Sequence, residues 1–284
     1  MYPFPRIPGV VTSRPGSDRR LMLRPFGRTA ADLDIDFQQP SRPLLVARIL
    51  RCCTEPAHLE TAFFLDLFIS SRIEALLTLA TSGGTEPVSM QLNCAQDTCA
   101  ELLEIELSME EIMSVQPPGT DTGTLPIPVQ GTEYMFRKPT GADQLSWLNQ
   151  SFADEESAVA AMVSTLWVPG DSKKDEILSG LTQTSEWMEE IDRGMKAMDP
   201  LVHFSLAATC PACGTENTTV IDLEGLLLGR LHRIQRHLFH TIHRLAGYYH
   251  WSEPQILAIS PKRRDYYLLL IDEGDSQRPT GEIR

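Results

Sequence analysis

The sequence predicts an α+β fold with two β-hairpins, an acidic helical insertion between them and a helical C-terminal part. Three observations support this fold class. Two stretches of alternating apolar and polar residues each lead into a pair of cysteines, and acidic residues are in surplus between these stretches. After residue 222, apolar residues recur at helical spacing over a long segment. The chain has 284 residues, of which 42% are hydrophobic, so it is long enough to bury a sizeable core.

The first hairpin follows a helix. Apolar residues recur at helical spacing over residues 58–80, which predicts a helix there that stops at the two glycines after it. Residues 88–92 then alternate between apolar and polar side chains, the pattern of a half-buried strand, and lead into Cys94. After Cys99 the alternation resumes over residues 103–107. We therefore expect a hairpin with Cys94 and Cys99 at its tip.

The same order of elements returns after the insertion. Residues 202–206 alternate as a strand, Cys210-Pro-Ala-Cys213 follows, and a second strand is expected near residues 219–223. A helix then opens at Asp222 or at the next residue. Each half of the chain thus supplies one hairpin with a pair of thiols at its tip.

Two thiolate pairs on tight turns suit the tetrahedral site of a structural zinc ion. The second pair is the stronger motif, because Gly214 directly after it permits a left-handed turn that aims backbone N–H groups at sulfur. The spacing of the first pair is looser. The alternative is that the four cysteines are reduced and pack separately as small apolar residues. The sequence predicts a split, zinc-ribbon-like pair of hairpins with one structural Zn²⁺, whose ligands are Cys94, Cys99, Cys210 and Cys213.

Other potentially reactive residues favour structural roles. Cys52 and Cys53 are adjacent, so their side chains diverge, and we expect partly buried free thiols. His237, His240 and His243 share one helix face, but they lack the glutamate of the His-Glu-x-x-His pattern of metalloproteases. Arginines surround them, which favours a solvated basic face over a metal hydrolase. The functional alternative is contact with an acidic surface, either the chain's own insertion or another protein. No nucleophile motif or phosphate-binding glycine-rich loop is present, so we expect neither an enzyme nor a small-molecule substrate.

The charge distribution bears on possible partners. The net charge is −13, and residues 101–200 carry 19 acidic against 6 basic side chains, which accounts for this surplus. Residues 201–284 carry nine of each sign, so no basic domain accompanies the cysteines, and we expect no nucleic-acid partner. No apolar run is long enough for a membrane span. The N-terminus lacks the apolar stretch of a secretory signal, which favours the reducing cytoplasm.

The chain divides into five segments at composition and pattern changes. In the first of these, residues 1–56, an apolar patch at residues 44–50 is expected to dock on a partner or on the chain's own core. The segments are an extended Pro/Arg-rich arm (1–56), a helix with the first hairpin (57–115), an insertion with a loop, a strand at 132–137 and acidic helices (116–200), the second hairpin with C-terminal helices (201–273) and a disordered tail (274–284).

Helix boundaries follow from capping residues. In the insertion, helices are expected to open at Thr140 or Gly141, at Asp154 and at Thr184, the last ending before Pro200. The C-terminal part has three expected helices: Leu223–Tyr249, a short one after Ser252, and one from Pro261 through Ile271. The aromatic residues Tyr248, Tyr249 and Trp251 are expected in the core, or alternatively as an exposed anchor.

The order of motifs resembles that of a known family. It comprises a paired-cysteine turn, the segment Phe-Arg-Lys-Pro-Thr-Gly-Ala-Asp at residues 136–143, acidic helices, and Cys210-Pro-Ala-Cys213-Gly. Residues 242–253, with Tyr-His-Trp-Ser-Glu at their end, and residues 261–268 complete it. Over residues 59–271 the chain resembles the T4-type baseplate hub assembly chaperone family.

The resemblance implies a non-enzymatic protein that acts in the assembly of the baseplate of a contractile tail, in a phage or in a phage-derived contractile injection system. It would be a chaperone or a built-in component. Its partners would be baseplate hub or wedge proteins, met in the bacterial cytoplasm or in the tail particle itself. The alternative is a zinc-ribbon adaptor that binds nucleic acid or another protein complex.

Overall fold

The computed structural model describes residues 1–3, 21–55, 59–82, 87–115, 123–168, 179–180 and 185–276. It is an α+β structure of helices and small antiparallel sheets, as the sequence predicts. Within these ranges, no helix is both long and apolar enough to cross a lipid bilayer. In chain order the elements are β1 (Tyr2–Pro3), β2 (Met22–Leu23), α1 (Ala30–Leu33), α2 (Arg42–Cys53), β3 (Thr54–Glu55), α3 (Thr61–Leu65), α4 (Ile69–Thr81), β4 (Val88–Asn93), β5 (Leu102–Leu107), α5 (Met109–Ser114), β6 (Thr124–Val129), β7 (Thr132–Arg137), α6 (Gly141–Leu148), α7 (Glu155–Leu166), α8 (Ser185–Met198), β8 (Ser205–Thr209), β9 (Glu216–Val220), α9 (Leu223–Tyr249), α10 (Glu253–Ala258) and α11 (Pro261–Ser276).

Both expected hairpins are present. β4 pairs with β5, and β8 pairs with β9, each pair antiparallel. The strand expected at residues 202–206 begins later, at Ser205, because residues 201–203 form a turn that places Leu201 and Phe204 in the core. The helix expected over residues 58–80 is broken into α3 and α4 at residues 66–68, and the glycines expected to end it lie outside the described residues.

The main core is built by α2, α4 and α9, against which both hairpins pack one face. The expected extended arm is wrong for residues 42–53, because α2 buries Val46, Ile49 and Leu50 completely. Pro43 does not prevent this helix, since it lies in the first turn, where the backbone N–H has no partner within the helix. The patch at residues 44–50 therefore docks on the chain's own core, while residues 4–20 of the arm lie outside the described residues.

The insertion has an apolar cluster of its own, formed by β6, β7, α7 and α8 around Tyr134, Phe136 and Trp167. Strand β7 and the three helix starts agree with the sequence prediction. The loop expected before β7 instead contains β6, in which Pro126 and Pro128 face Met135 and Glu133. Proline is tolerated there because β6 lies at the edge of a two-stranded sheet, where the missing N–H groups of alternate residues point away from β7.

Residues 136–143, which contribute to the family resemblance, form the junction between the insertion and the main core. Arg137 donates two hydrogen bonds to Asp143, of 2.6 and 2.8 Å, and Asp143 also accepts from the backbone N–H of Thr140. The backbone N–H of Gly141 donates to the carbonyl of Leu67 at 3.1 Å. A side chain at position 141 would collide with the buried guanidinium of Arg72 on α4, so glycine allows the close approach.

The C-terminal helices form a further small cluster. Helix α9 covers the predicted range and begins at the N-cap Asp222. The rings of Tyr249 and Trp251 stack, and Tyr267 of α11 packs against both. Tyr248 is 46% exposed, so only part of the aromatic group is in the core. Helix α11 continues to Ser276, which corrects the expected start of the tail at residue 274, and residues 277–284 lie outside the described residues.

A buried carboxylate, Asp32, holds together residues 24–32, which precede α2. Asp32 accepts hydrogen bonds from the guanidinium of Arg24 at 2.7 and 2.8 Å, and from the backbone N–H groups of Gly27, Arg28 and Thr29 at 3.0, 2.8 and 3.1 Å. Burial raises the pKa of Asp32, but Arg24 and the N–H groups outweigh it and hold this pKa below its ordinary value.

We expect Asp32→Asn to lower the free energy of unfolding at pH 7 by roughly 3–5 kcal/mol, because it leaves the mostly buried Arg24 without its charged partner. Urea denaturation followed by circular dichroism measures this loss. The folded-state pKa of Asp32 lies below the ordinary 3.8, so the stabilisation is complete above that pH and is lost as the pH falls through the folded pKa. The difference between the two proteins should therefore shrink in acid.

The matched control is Asp192→Asn, which removes an exposed ion pair with Lys196 on the same helix. We expect a loss of at most about 0.5 kcal/mol. An equal effect of the two substitutions, or a cost of Asp32→Asn that does not change below pH 4, would contradict this role of Asp32.

Candidate metal centre

Four cysteines from the two hairpins converge on one point. The sulfur atoms of Cys94, Cys99, Cys210 and Cys213 all lie within 4.8 Å of one another. Two of these distances are 3.6 Å, between Cys94 and Cys213, and 3.9 Å, between Cys99 and Cys210. Both exceed the S–S bond length of about 2.05 Å, and all four residues are free thiols. Such a group could hold a metal ion.

The two hairpins present their cysteines in equivalent ways. Cys94 and Cys210 each follow directly on the first strand of their hairpin, and Cys99 and Cys213 each lie three residues before the second strand. Each turn is closed by one backbone hydrogen bond from the first cysteine, to Glu101 at 3.0 Å or to Thr215 at 2.9 Å. Each of these two sulfur contacts joins the first cysteine of one hairpin to the second cysteine of the other.

Backbone N–H groups surround the sulfur atoms at regular positions. The N–H of Gln96 donates to Cys94 Sγ at 3.5 Å, and the N–H groups of Glu101 and Thr215 act on Cys99 and Cys213 to lower their pKa values. Such donors stabilise thiolate over thiol, which is the form that binds a metal ion. Gly214 has a φ of +73°, as its place after the second pair predicts, and a Cβ there would contact no other atom within 4 Å. Glycine at position 214 is thus required by the backbone conformation and not by crowding.

The thiols differ in acidity. The hydroxyl and the backbone N–H of Thr215 lower the pKa of Cys213 to about 6. For Cys99 the N–H of Glu101 also lowers the pKa, but burial and the neighbouring thiols outweigh it and raise this pKa to about 12. Cys213 therefore ionises more readily than Cys94 and Cys99, whose pKa values are raised. Binding of a cation requires the others to release their protons.

Asn217 is a further residue of this centre, which sequence reasoning missed. It is 3% exposed on β9, and its side-chain oxygen accepts from the backbone N–H of Ala95, in the turn of the other hairpin, at 2.6 Å. Its amide nitrogen donates to the carbonyl of Thr215 at 2.9 Å. Asn217 thus bridges the two cysteine turns. The signal in the sequence is weak, since an asparagine in a strand is unusual but does not indicate its partner.

The other candidate residues lie elsewhere. Cys52 and Cys53 are free thiols, as predicted, and both lie beside Asp32. Cys52 is partly buried as expected, whereas Cys53 is fully buried. His237, His240 and His243 are exposed on α9, which confirms the predicted solvated face. In the described part of the chain, no second group of three or more Cys, His, Asp or Glu side chains meets at one point as the four cysteines do.

Comparisons with known proteins do not extend the sequence resemblance. No protein-family model, no curated protein and no solved structure matches this chain. The expected relationship over residues 59–271 thus stays a prediction from the motifs.

We expect the purified protein to contain one metal ion per chain and Cys213→Ser to lose most of it, because a hydroxyl does not supply the thiolate on the metal. Metal analysis by mass spectrometry measures both. Cys52→Ser is the matched control, since this thiol lies apart from the group of four, and it should keep the full metal content. Equal metal content in Cys213→Ser and Cys52→Ser would contradict the assignment.

Proposed function

We propose that this protein is a non-enzymatic assembly or structural protein of the baseplate of a contractile tail, stabilised by one structural zinc ion in a split zinc-ribbon-like pair of hairpins. The observation that carries the zinc assignment is the arrangement of the four sulfur atoms. Zinc bound to four thiolates has Zn–S distances of about 2.3 Å in a tetrahedron, which separates the sulfur atoms by about 3.8 Å. The Cys94–Cys213 and Cys99–Cys210 distances of 3.6 and 3.9 Å, with all four sulfur atoms within 4.8 Å of one another, support this geometry.

The donor set favours a structural and not a catalytic ion. Four protein ligands fill a tetrahedral zinc site, so no position stays open for water or substrate. Thiolate ligands also favour zinc over magnesium or calcium, which prefer oxygen. The ion would add its binding free energy to the stability of the folded state, because the unfolded chain does not hold the four thiols together.

An exposed apolar face on α11 supports a role in an assembly. Tyr266, Leu269 and Leu270 are 61%, 57% and 39% exposed. Their spacing of three and four residues places them on one side of the helix. Grouped exposed apolar residues typically mark protein–protein contacts. We propose that this face, called here the α11 face, contacts a baseplate hub or wedge protein, the class of partner that the motif resemblance implies.

The test is purification of the tagged, full-length protein from cells that produce the contractile particle, with the bound proteins identified by mass spectrometry. We expect hub or wedge proteins with the wild type, and at least about tenfold less of them with Leu269→Asp, which places a charge on the α11 face. The matched control is Leu148→Asp on α6, which changes a leucine that is 65% exposed in the insertion and should leave recovery unchanged.

Two results would contradict the proposal. One is the absence of hub and wedge proteins from wild-type preparations of both the finished particle and its assembly intermediates. The other is salt-sensitive binding to DNA or RNA by the purified protein, which would favour the zinc-ribbon adaptor through the exposed basic face of α9. The second result would leave the zinc assignment intact, because metal content is measured independently.

A further inference from the structure

A cavity of about 720 Å³ lies between the loop that follows β2, the C-terminal end of α4, the middle of α9 and the start of α11. Its apolar wall includes Phe26, Leu79 and Leu238. Volumes of this size are typical of sites for small ligands. The cavity is separate from the four cysteines and from the α11 face.

The charged residues of the cavity are mostly cationic. Arg28, Arg230, Arg233 and Arg264 line it, against a single carboxylate, Asp265. This concentration of positive charge contrasts with the net charge of −13 of the chain. Arg230 is fixed by hydrogen bonds to the carbonyls of Ala80 and Pro87, at 3.0 and 3.4 Å. The cavity is therefore a local positive region in an acidic protein.

Arg264 is the most informative of these residues. It is only 4% exposed, yet its Nε and Nη1 atoms are buried without a hydrogen-bond partner. No ion pair among the described residues involves it. Burial, together with the like charge of Arg28, lowers its pKa below the ordinary value. A buried guanidinium with unmet donors costs stability unless an anion compensates it.

We propose that this cavity binds a compact oxyanion, a phosphate group on a small molecule or free phosphate, with Arg264 as its main ligand. The planar fork of N–H donors in arginine matches two oxygens of a phosphate. The surplus of positive charge in the cavity suits a group that carries more than one negative charge. The proposal is independent of the baseplate assignment, since it depends only on the cavity and its arginines.

A small molecule fits the geometry better than an acidic peptide segment does. The unmet donors belong to a side chain that is almost fully buried, and a compact group reaches such donors more readily than a carboxylate on a peptide backbone. The apolar wall can contact the non-phosphate part of the ligand. The alternative occupant is an acidic segment of a partner protein, and a peptide competitor distinguishes it from phosphate.

The experiment titrates the metal-loaded, full-length protein with inorganic phosphate by isothermal calorimetry, with chloride at equal ionic strength as reference. We expect saturable binding of one phosphate per chain. Arg264→Met should weaken it at least about tenfold, because a charged hydrogen-bond donor is lost. Arg236→Met is the matched control: this arginine is exposed on α9 and does not line the cavity, so binding should change by less than about twofold.

The melting temperature provides an independent readout. Without phosphate, Arg264→Met should melt higher than the wild type, because it removes an uncompensated buried charge. Phosphate should stabilise the wild type and Arg236→Met, but not Arg264→Met. If Arg264→Met does not fold, phosphate binding is measured with Arg28→Met in its place. Arg28 is exposed at the rim of the cavity, so its replacement should not prevent folding but should weaken phosphate binding.

Three results would overturn the proposal. The first is an effect of phosphate no larger than that of chloride. The second is unchanged phosphate binding in Arg264→Met, or in Arg28→Met where that variant decides. The third is binding of a hexaglutamate peptide at least about tenfold more tightly than phosphate with the same dependence on Arg264, which would assign the cavity to an acidic segment of a partner.

Discussion

The meeting of four sulfur atoms from two distant hairpins is the contact on which the arrangement of this molecule depends. No backbone hydrogen bond joins β4–β5 to β8–β9 among the described residues. The side chain of Asn217 and a small apolar cluster around Leu103 accompany the sulfur contact. If the proposed zinc ion is bound there, it supplies the strongest link between the two hairpins, because each contributes two of its four ligands.

This link closes a long loop of the chain. The insertion lies between the cysteine pairs, has its own apolar cluster, and joins the main core at the start of α6. Closing a loop of this length costs conformational entropy that local contacts at the hairpin tips offset only in part. The proposed zinc ion would offset part of this cost, and the equivalent placement of the cysteines would let each hairpin contribute two ligands. The four cysteines lie apart from α11 and from the arginine cavity, so both remain available for other contacts.

The parts of the structure that local sequence determines were predictable. Helix α9 follows from its apolar period and its N-cap Asp222, and the hairpins follow from alternation that ends at cysteines. The elements that the sequence did not predict depend on contacts with other parts of the chain. Helix α2 is packed against α3, α4 and α6, and β6 is a strand because β7 pairs with it. The roles of Asn217 and Asp32 depend on partners that no sequence pattern indicates.

Amide hydrogen exchange before and after removal of the metal tests the central claim most directly. If one ion joins the hairpins, a strong chelator should remove the protection of β4–β5 and β8–β9 together, while the amides of α9 in the main core keep theirs. Loss of protection in one hairpin alone, or unchanged protection in both after the metal has gone, would contradict the account.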